Sequence, residues 1–311
     1  MSSDPSVSSI SRKRQPPTCA GALATTRAEF LAAVDPAAVV VHGVDFSSAP
    51  RRAKPIMVAS GQLCLMSQAL TVHGLLPLAS LGEYAAWLQS TGPCLIGFDL
   101  PFGLPRQFVA SQSWPLSWSE CLAVYTGLDR EVLRSRFKSF CNSRPVGSKF
   151  AHRETDRHAG SSPSMKWVNP PVAWMLHAGV PPIIDAGLTI PGMLAGDPAR
   201  VALEAYPGLL ARSVTKASYK SDNKKRQTVA RHAERANIIK ALIDGTTQPG
   251  LATALGPGLA DDLLADGSAD QLDAALCLVQ AAWGLLRDEH DLGLKPGFDP
   301  LEGWIAGGGL A

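Results

Sequence analysis

Two stretches decide the fold: Ala38–Phe46, AVVVHGVDF, and Pro93–Leu100, PCLIGFDL. Each is an apolar, β-branched-rich run that ends in an aspartate before a turn-forming segment, FSSAP after Asp45 and PFGLP after Leu100. Such runs read as buried central strands. Between them, Lys54–Ser60 and Gln62–His73 read as two further strands joined by a turn at Ser60–Gly61, an antiparallel meander. Leu81–Gln89, behind Ser80 as N-cap, reads as a short helix. The order strand, strand, strand, helix, strand predicts a mixed α/β sheet with a crossover.

Further along, Arg200–Tyr206 (RVALEAY) reads as another strand, bringing the expected sheet to five. Arg226–Ile243 reads as a long basic helix. Ala269–His290 reads as a second long helix, with Ser268-x-x-Gln271 as a capping box and an apolar stripe of Leu272, Leu276, Val279, Trp283 and Leu286. The segment from about 105 to 198 lacks clean periodicity, with helices expected at Ser117–Val124 and Arg130–Cys141. It reads as a helical insertion in a single domain spanning 36–306. Residues 1–20 read as a disordered tail.

The bulk composition excludes several classes. A hydrophobic fraction of 46% with 18% charged residues is that of a globular chain. No C-x-x-C occurs among the six cysteines, which excludes zinc ribbons and thioredoxin-type motifs. The N-terminal segment has no apolar core of a secretory signal, and no 18-residue apolar run suggests a membrane span. A reducing, cytoplasmic compartment is expected.

Four acids stand out. A carboxylate at the carboxyl end of a buried strand sits where open α/β sheets place their sites, although Asp also serves turns. Asp45 and Asp99 share that position. Glu204 lies in an apolar strand, where a carboxylate needs a partner or a cation. Alternation puts Ala202 and Glu204 on one face and Val201 and Leu203 on the other. Asp273 lies at the margin of the last helix's apolar stripe, whereas Asp270 suits the helix dipole. Converging carboxylates make an oxygen-rich site for Mg²⁺ or Mn²⁺, and two such ions can clamp a phosphodiester.

The segments VHGVDFSSAP, IGFDLPFGLP, HRETD, EAYP, SYKSDNKKR, DQLDAAL and EGWI resemble domain-of-unknown-function family 429, whose members are described as predicted nucleases with an RNase H-like fold. The resemblance runs from Val41 to Ile305. It implies three antiparallel strands, a helix and two more strands, with helices on both faces. It also implies metal-binding acids on the first strand, a later strand and a C-terminal helix, which fall on Asp45, on Asp99 or Glu204, and on Asp273. GVDFSS is also similar to the first phosphate loop of the actin-like and sugar-kinase superfamily. A nucleotide-binding phosphotransferase or ATPase is therefore the alternative, and a non-catalytic nucleic-acid-binding module a third.

The net charge of +2 conceals a distribution. Asp129–Lys166 carries nine Lys/Arg against four Asp/Glu, Arg212–Lys240 nine against two, and Gly256 to the end two against ten. Arg153, Lys220, Lys224, Lys225 and Arg226 are the candidate phosphate contacts on a DNA or RNA partner. Arg153 also reads as an ion-pair partner of one of the site acids. Arg231 and Arg235 read as solvated. Trp167 and Trp174 read as packing residues or, alternatively, as a base-stacking surface.

Overall fold

The computed structural model describes residues 19–248, 250–287 and 291–309. A helix, α1 (Cys19–Ala33), precedes the sheet. β1 (Val39–Asp45), β2 (Ile56–Cys64) and β3 (Ala69–Leu78) form the meander. Then come α2 (Leu81–Ser90) and β4 (Cys94–Asp99). Five helices follow: α3 (Arg106–Ser111), α4 (Trp118–Thr126), α5 (Arg130–Asn142), α6 (Glu154–Ala159) and α7 (Val172–Asp185). The chain returns through β5 (Leu188–Thr189) and β6 (Asp197–Glu204). It continues with α8 (Pro207–Val214), a 3-10 turn (Lys224–Arg226), α9 (Val229–Asp244), β7 (Thr253–Leu255), α10 (Leu259–Ala265) and α11 (Asp270–Leu286), and a second 3-10 turn (Asp291–Gly293) follows.

The sheet is mixed and mostly parallel, with order β5-β6-β4-β1-β2-β3-β7. It has seven strands where five were expected. The two extra ones, β5 and β7, span two and three residues at the sheet edges, too short to leave a period-2 pattern. β2 also runs straight through the expected Ser60–Gly61 turn. The reversal falls at residues 65–68, and Ser60–Gly61 is instead where the register with β3 slips by one residue. Gly61 is required there because a Cβ would press on the Thr71 carbonyl and the Leu278 side chain.

One sheet face packs on α1, α8, α9, α10 and α11. The other packs on α2, α3, α4, α5 and α7. Ser80 caps α2 as expected, its hydroxyl accepting from the Glu83 N–H at 3.1 Å. Ser268 does not cap α11. Asp266 takes that role, accepting from the Ser268 and Gln271 N–H groups at 3.0 and 3.1 Å. α11 is buried on nearly every side rather than along one stripe, because it is sandwiched between the sheet and the outer helices. Its expected end at His290 and the expected tail over 1–18 lie outside the described residues, while residues 19 and 20 begin α1. No helix of the described residues is long and apolar enough to cross a membrane.

Candidate functional site

Register brings the first two acids together. β1 and β4 are adjacent and parallel, and Asp45 pairs with Asp99 at their carboxyl ends. Along β1 the side chains of Val39 and Val41 point toward α11, and Asp45 follows in the same alternation. Along β4 the same holds for Leu95 and then Asp99. Each acid has a glycine two residues before it, and these glycines set the height of α11. A Cβ on Gly43 would overlap the Ala274 carbonyl oxygen and the Leu278 nitrogen, and one on Gly97 the Cys277 carbonyl oxygen. The helix backbone therefore rests directly on the two strands. Asp273, one turn before Cys277, faces the strand ends from the first turn of α11 and is wholly buried.

The carboxylates strain against one another. Burial pushes Asp45 well above the ordinary carboxylate range, and Asp273, Asp270 and Asp99 push it further. Burial raises Asp99 to about 7, with Lys220 pulling it back and Asp273 and Glu204 adding to the rise. Among the described residues, no donor lies within hydrogen-bond reach of the side chains of Asp45 or Asp99. Both nevertheless keep some solvent contact. Asp273 is fully engaged: it accepts from the Tyr219 hydroxyl at 2.6 Å and from the Lys220 ammonium. Asp270 pairs with Lys54 at 2.7 Å, and Lys54 also pairs with Asp222 at 2.5 Å.

Glu204 points elsewhere. Its partner in register is Phe98, so it projects from the opposite face of the sheet to Asp45 and Asp99. Arg153 grips it with both terminal nitrogens, at 2.6 and 2.8 Å, and the Phe102 N–H donates to it at 3.0 Å. The same guanidinium holds Asp156 and the Glu302 carbonyl. Arg153 is 2% exposed, so it reaches no solvent-borne phosphate. It is instead the ion-pair partner of a predicted site acid and ties α6 and the C-terminal segment to β6. Removing it leaves two buried carboxylates uncompensated, so Arg153→Ala is expected to cost about 3–5 kcal/mol. Urea unfolding checks this, and a loss below about 1 kcal/mol would contradict it.

The other predicted cations divide. Lys220 lies over the acids with its side chain 45% exposed. Lys224, Lys225 and Arg226 are exposed on the 3-10 turn beyond it. Arg235 is not solvated: it is 4% exposed and donates to the Tyr219 and Leu264 carbonyls. Arg231 is half-buried and bonded to the Arg226 carbonyl and to Ser218, steadying the basic loop. Trp174 is a core residue and Trp167 stacks on Phe137 at 5.6 Å, so both serve packing. Glu302 of EGWI accepts from the Arg106 and Glu154 N–H groups, at 2.8 and 3.0 Å, and so caps α3 and α6 together. Trp304 is buried and anchors the C-terminus. Lys54, with exposed Arg51 and Arg52 beside it, and Tyr219 were not picked out from the sequence. The Arg-Arg-x-Lys run after β1 was the available signal for the first three.

Comparison with known family models, with curated proteins and with solved structures finds no match to this chain. The resemblance to family 429 therefore rests on the quoted segments alone.

Among the described residues, no three His, Cys, Asp or Glu side chains converge as a ready-made ion cage. The donor chemistry still suits one Mg²⁺ or Mn²⁺. Mg²⁺ typically binds through one or two carboxylates and keeps several waters. Asp45 and Asp99 are such a pair, in register and without protein donors. Five carboxylates (Asp45, Asp99, Asp222, Asp270, Asp273) stand against two ammonium groups (Lys54, Lys220), so with the acids ionised the cluster holds an excess of negative charge that a divalent cation would offset.

Proposed function

We propose that the protein is a metal-dependent, nuclease-like phosphodiester hydrolase on an RNase H-like core. The observation that carries this is the pairing of Asp45 and Asp99, in register at the ends of adjacent parallel strands, donor-free and facing Asp273. The five central strands, β3-β2-β1-β4-β6, run in the sense the family resemblance implies: an antiparallel trio, then two strands added in parallel. The acids fall on the first strand, a later strand and the last long helix, as that resemblance also implies.

Asp45 and Asp99 would hold the ion, and when bound it supplies Lewis-acid polarisation of a phosphoryl oxygen and a more acidic water. Asp273 orients Tyr219 and Lys220 at the inner wall. The Lys54–Asp222 ion pair ties the Arg51–Lys54 segment to the Lys220–Arg226 loop. Arg51, Arg52, Lys224, Lys225 and Arg226 then form an exposed basic rim beside the acids, suited to phosphates of DNA or RNA. The acidic interior and basic rim explain how an enzyme for a polyanion carries a net charge of only +2.

The test is a cleavage screen on labelled single- and double-stranded DNA and RNA with Mg²⁺, Mn²⁺ or EDTA. The expected result is ion-dependent cleavage that Asp45→Asn reduces about 100- to 1,000-fold, a loss typical of removing one transition-state interaction. Cleavage indifferent to EDTA and to Asp45→Asn, or no cleavage with either ion, would overturn the proposal.

A further inference from the structure

Lys220 lies over the acids on a loop that the rest of the fold holds in place. Its loop, between α8 and α9, is fastened at three points. The buried Arg235 donates to the Tyr219 carbonyl at 2.9 Å. The Ser221 N–H donates to the Gly267 carbonyl at 3.0 Å. The Gln227 side chain donates to the Ser221 carbonyl at 3.1 Å. Tyr219, 8% exposed, bonds one oxygen of Asp273, and the Lys220 ammonium bonds the other. Both lobes of that carboxylate are thereby used by the protein itself. The second ammonium nearby, Lys54, is committed to Asp270 and Asp222.

Two consequences follow for an ion. Each Asp273 oxygen already accepts one hydrogen bond from the protein, which makes it a poorer metal ligand than the donor-free Asp45 and Asp99 while Lys220 stays in place. With Asp45, Asp99 and Asp273 all ionised around an ion they would carry three negative charges, Lys220 would return one, and a single divalent cation would neutralise the remainder. An ammonium is a compact positive charge, and here it sits on Asp273, beside Asp45 and Asp99.

Resting on the function proposed above, we propose that Lys220 is the second cation of the site, so that the protein binds one divalent ion, on Asp45 and Asp99, instead of two. Lys220 then offers its exposed edge to a phosphate oxygen, while Asp273 is its positioning residue and not a metal ligand.

Isothermal titration of the full chain with Mn²⁺ tests this through stoichiometry, which a purely structural lysine would not change. The wild type is expected to bind one ion and Asp45→Asn none. Asp273→Asn is expected to retain one. Lys220→Met, at a half-exposed position, is expected to bind a second ion, or the first at least about tenfold more tightly. Lys220→Arg is expected to keep the single ion. Two ions in the wild type, loss of the ion in Asp273→Asn, or unchanged number and affinity in Lys220→Met would overturn the assignment of Lys220 while leaving a metal site in place. No Mn²⁺ bound by folded wild type and folded Lys220→Met alike would overturn both this assignment and the metal-dependent function.

Discussion

Asp99→Asn is expected to make the protein more stable and less active at once. Asp99 has a folded-state pKa of about 7, set mainly by burial. An unfolded chain releases that proton near the ordinary carboxylate value of about 4. Between these two pH values the folded state binds more protons than the unfolded state, so stability falls as pH rises. The shift corresponds to roughly 4 kcal/mol at full effect, and the carboxylate's residual contact with solvent reduces it, so about 2–4 kcal/mol is expected. The gain from Asp99→Asn should be near zero at pH 4, grow through pH 4–7 and level off above pH 8. Urea unfolding at pH 4 and pH 8 in EDTA reads it directly. A variant less stable than wild type at pH 8, or a gain independent of pH, would contradict it. The cleavage activity should fall in the same variant, since a site that holds repelling carboxylates for function does so at the expense of stability.

Gly97→Val is expected to remove more stability than any surface change. The Cβ would strike the Cys277 carbonyl oxygen, and the branches of valine would meet the Ala281 side chain. α11 must then rise off the sheet. Because α11 is buried on nearly every side, the shift spreads into the packing of α8, α10 and the strands beneath. Overpacking typically costs 1–3 kcal/mol, and the backbone clash places this case at about 4 kcal/mol or more. The same shift would carry Asp273 away from Asp45 and Asp99. Gly92→Ala is the control, since a Cβ there meets nothing within 4 Å. Thermal unfolding should show a large loss for Gly97→Val and little change for Gly92→Ala. A Gly97→Val protein within about 1 kcal/mol of wild type would mean that α11 does not rest on the strands as described.

The strand-end acids were legible in the sequence because both cues are local: an apolar run and the residue that ends it. The face each acid takes was legible for Glu204, whose alternation with Val201 and Leu203 holds in the structure. What alternation within one strand cannot give is which face another strand turns toward the last helix. That is fixed by the register of β1, β4 and β6, and it sets Glu204 apart from Asp45 and Asp99. In the sequence Arg153 reads equally as a phosphate contact and as an ion-pair partner, and only its burial separates those roles. Lys54 and Tyr219 escaped notice because they reach Asp270 and Asp273 across separations of 216 and 54 residues. The two edge strands leave no trace because a strand of two or three residues has no period, and the α11 cap differs from the capping box because Asp266 reaches Gln271 from five residues before it rather than three. The paired G-x-D sequences, Gly43-Val-Asp45 and Gly97-Phe-Asp99, are the signal most worth reading in retrospect. A glycine two positions before a strand-end acid marks the face on which a helix lies closest.

The central claim is that Asp45 and Asp99 jointly hold a divalent ion. Anomalous diffraction from crystals grown with Mn²⁺ tests it most directly. One anomalous peak bridging the carboxylates of Asp45 and Asp99, with Lys220 still on Asp273, is the predicted result. No peak at saturating Mn²⁺, or a peak only on the Glu204 side of the sheet, would contradict it.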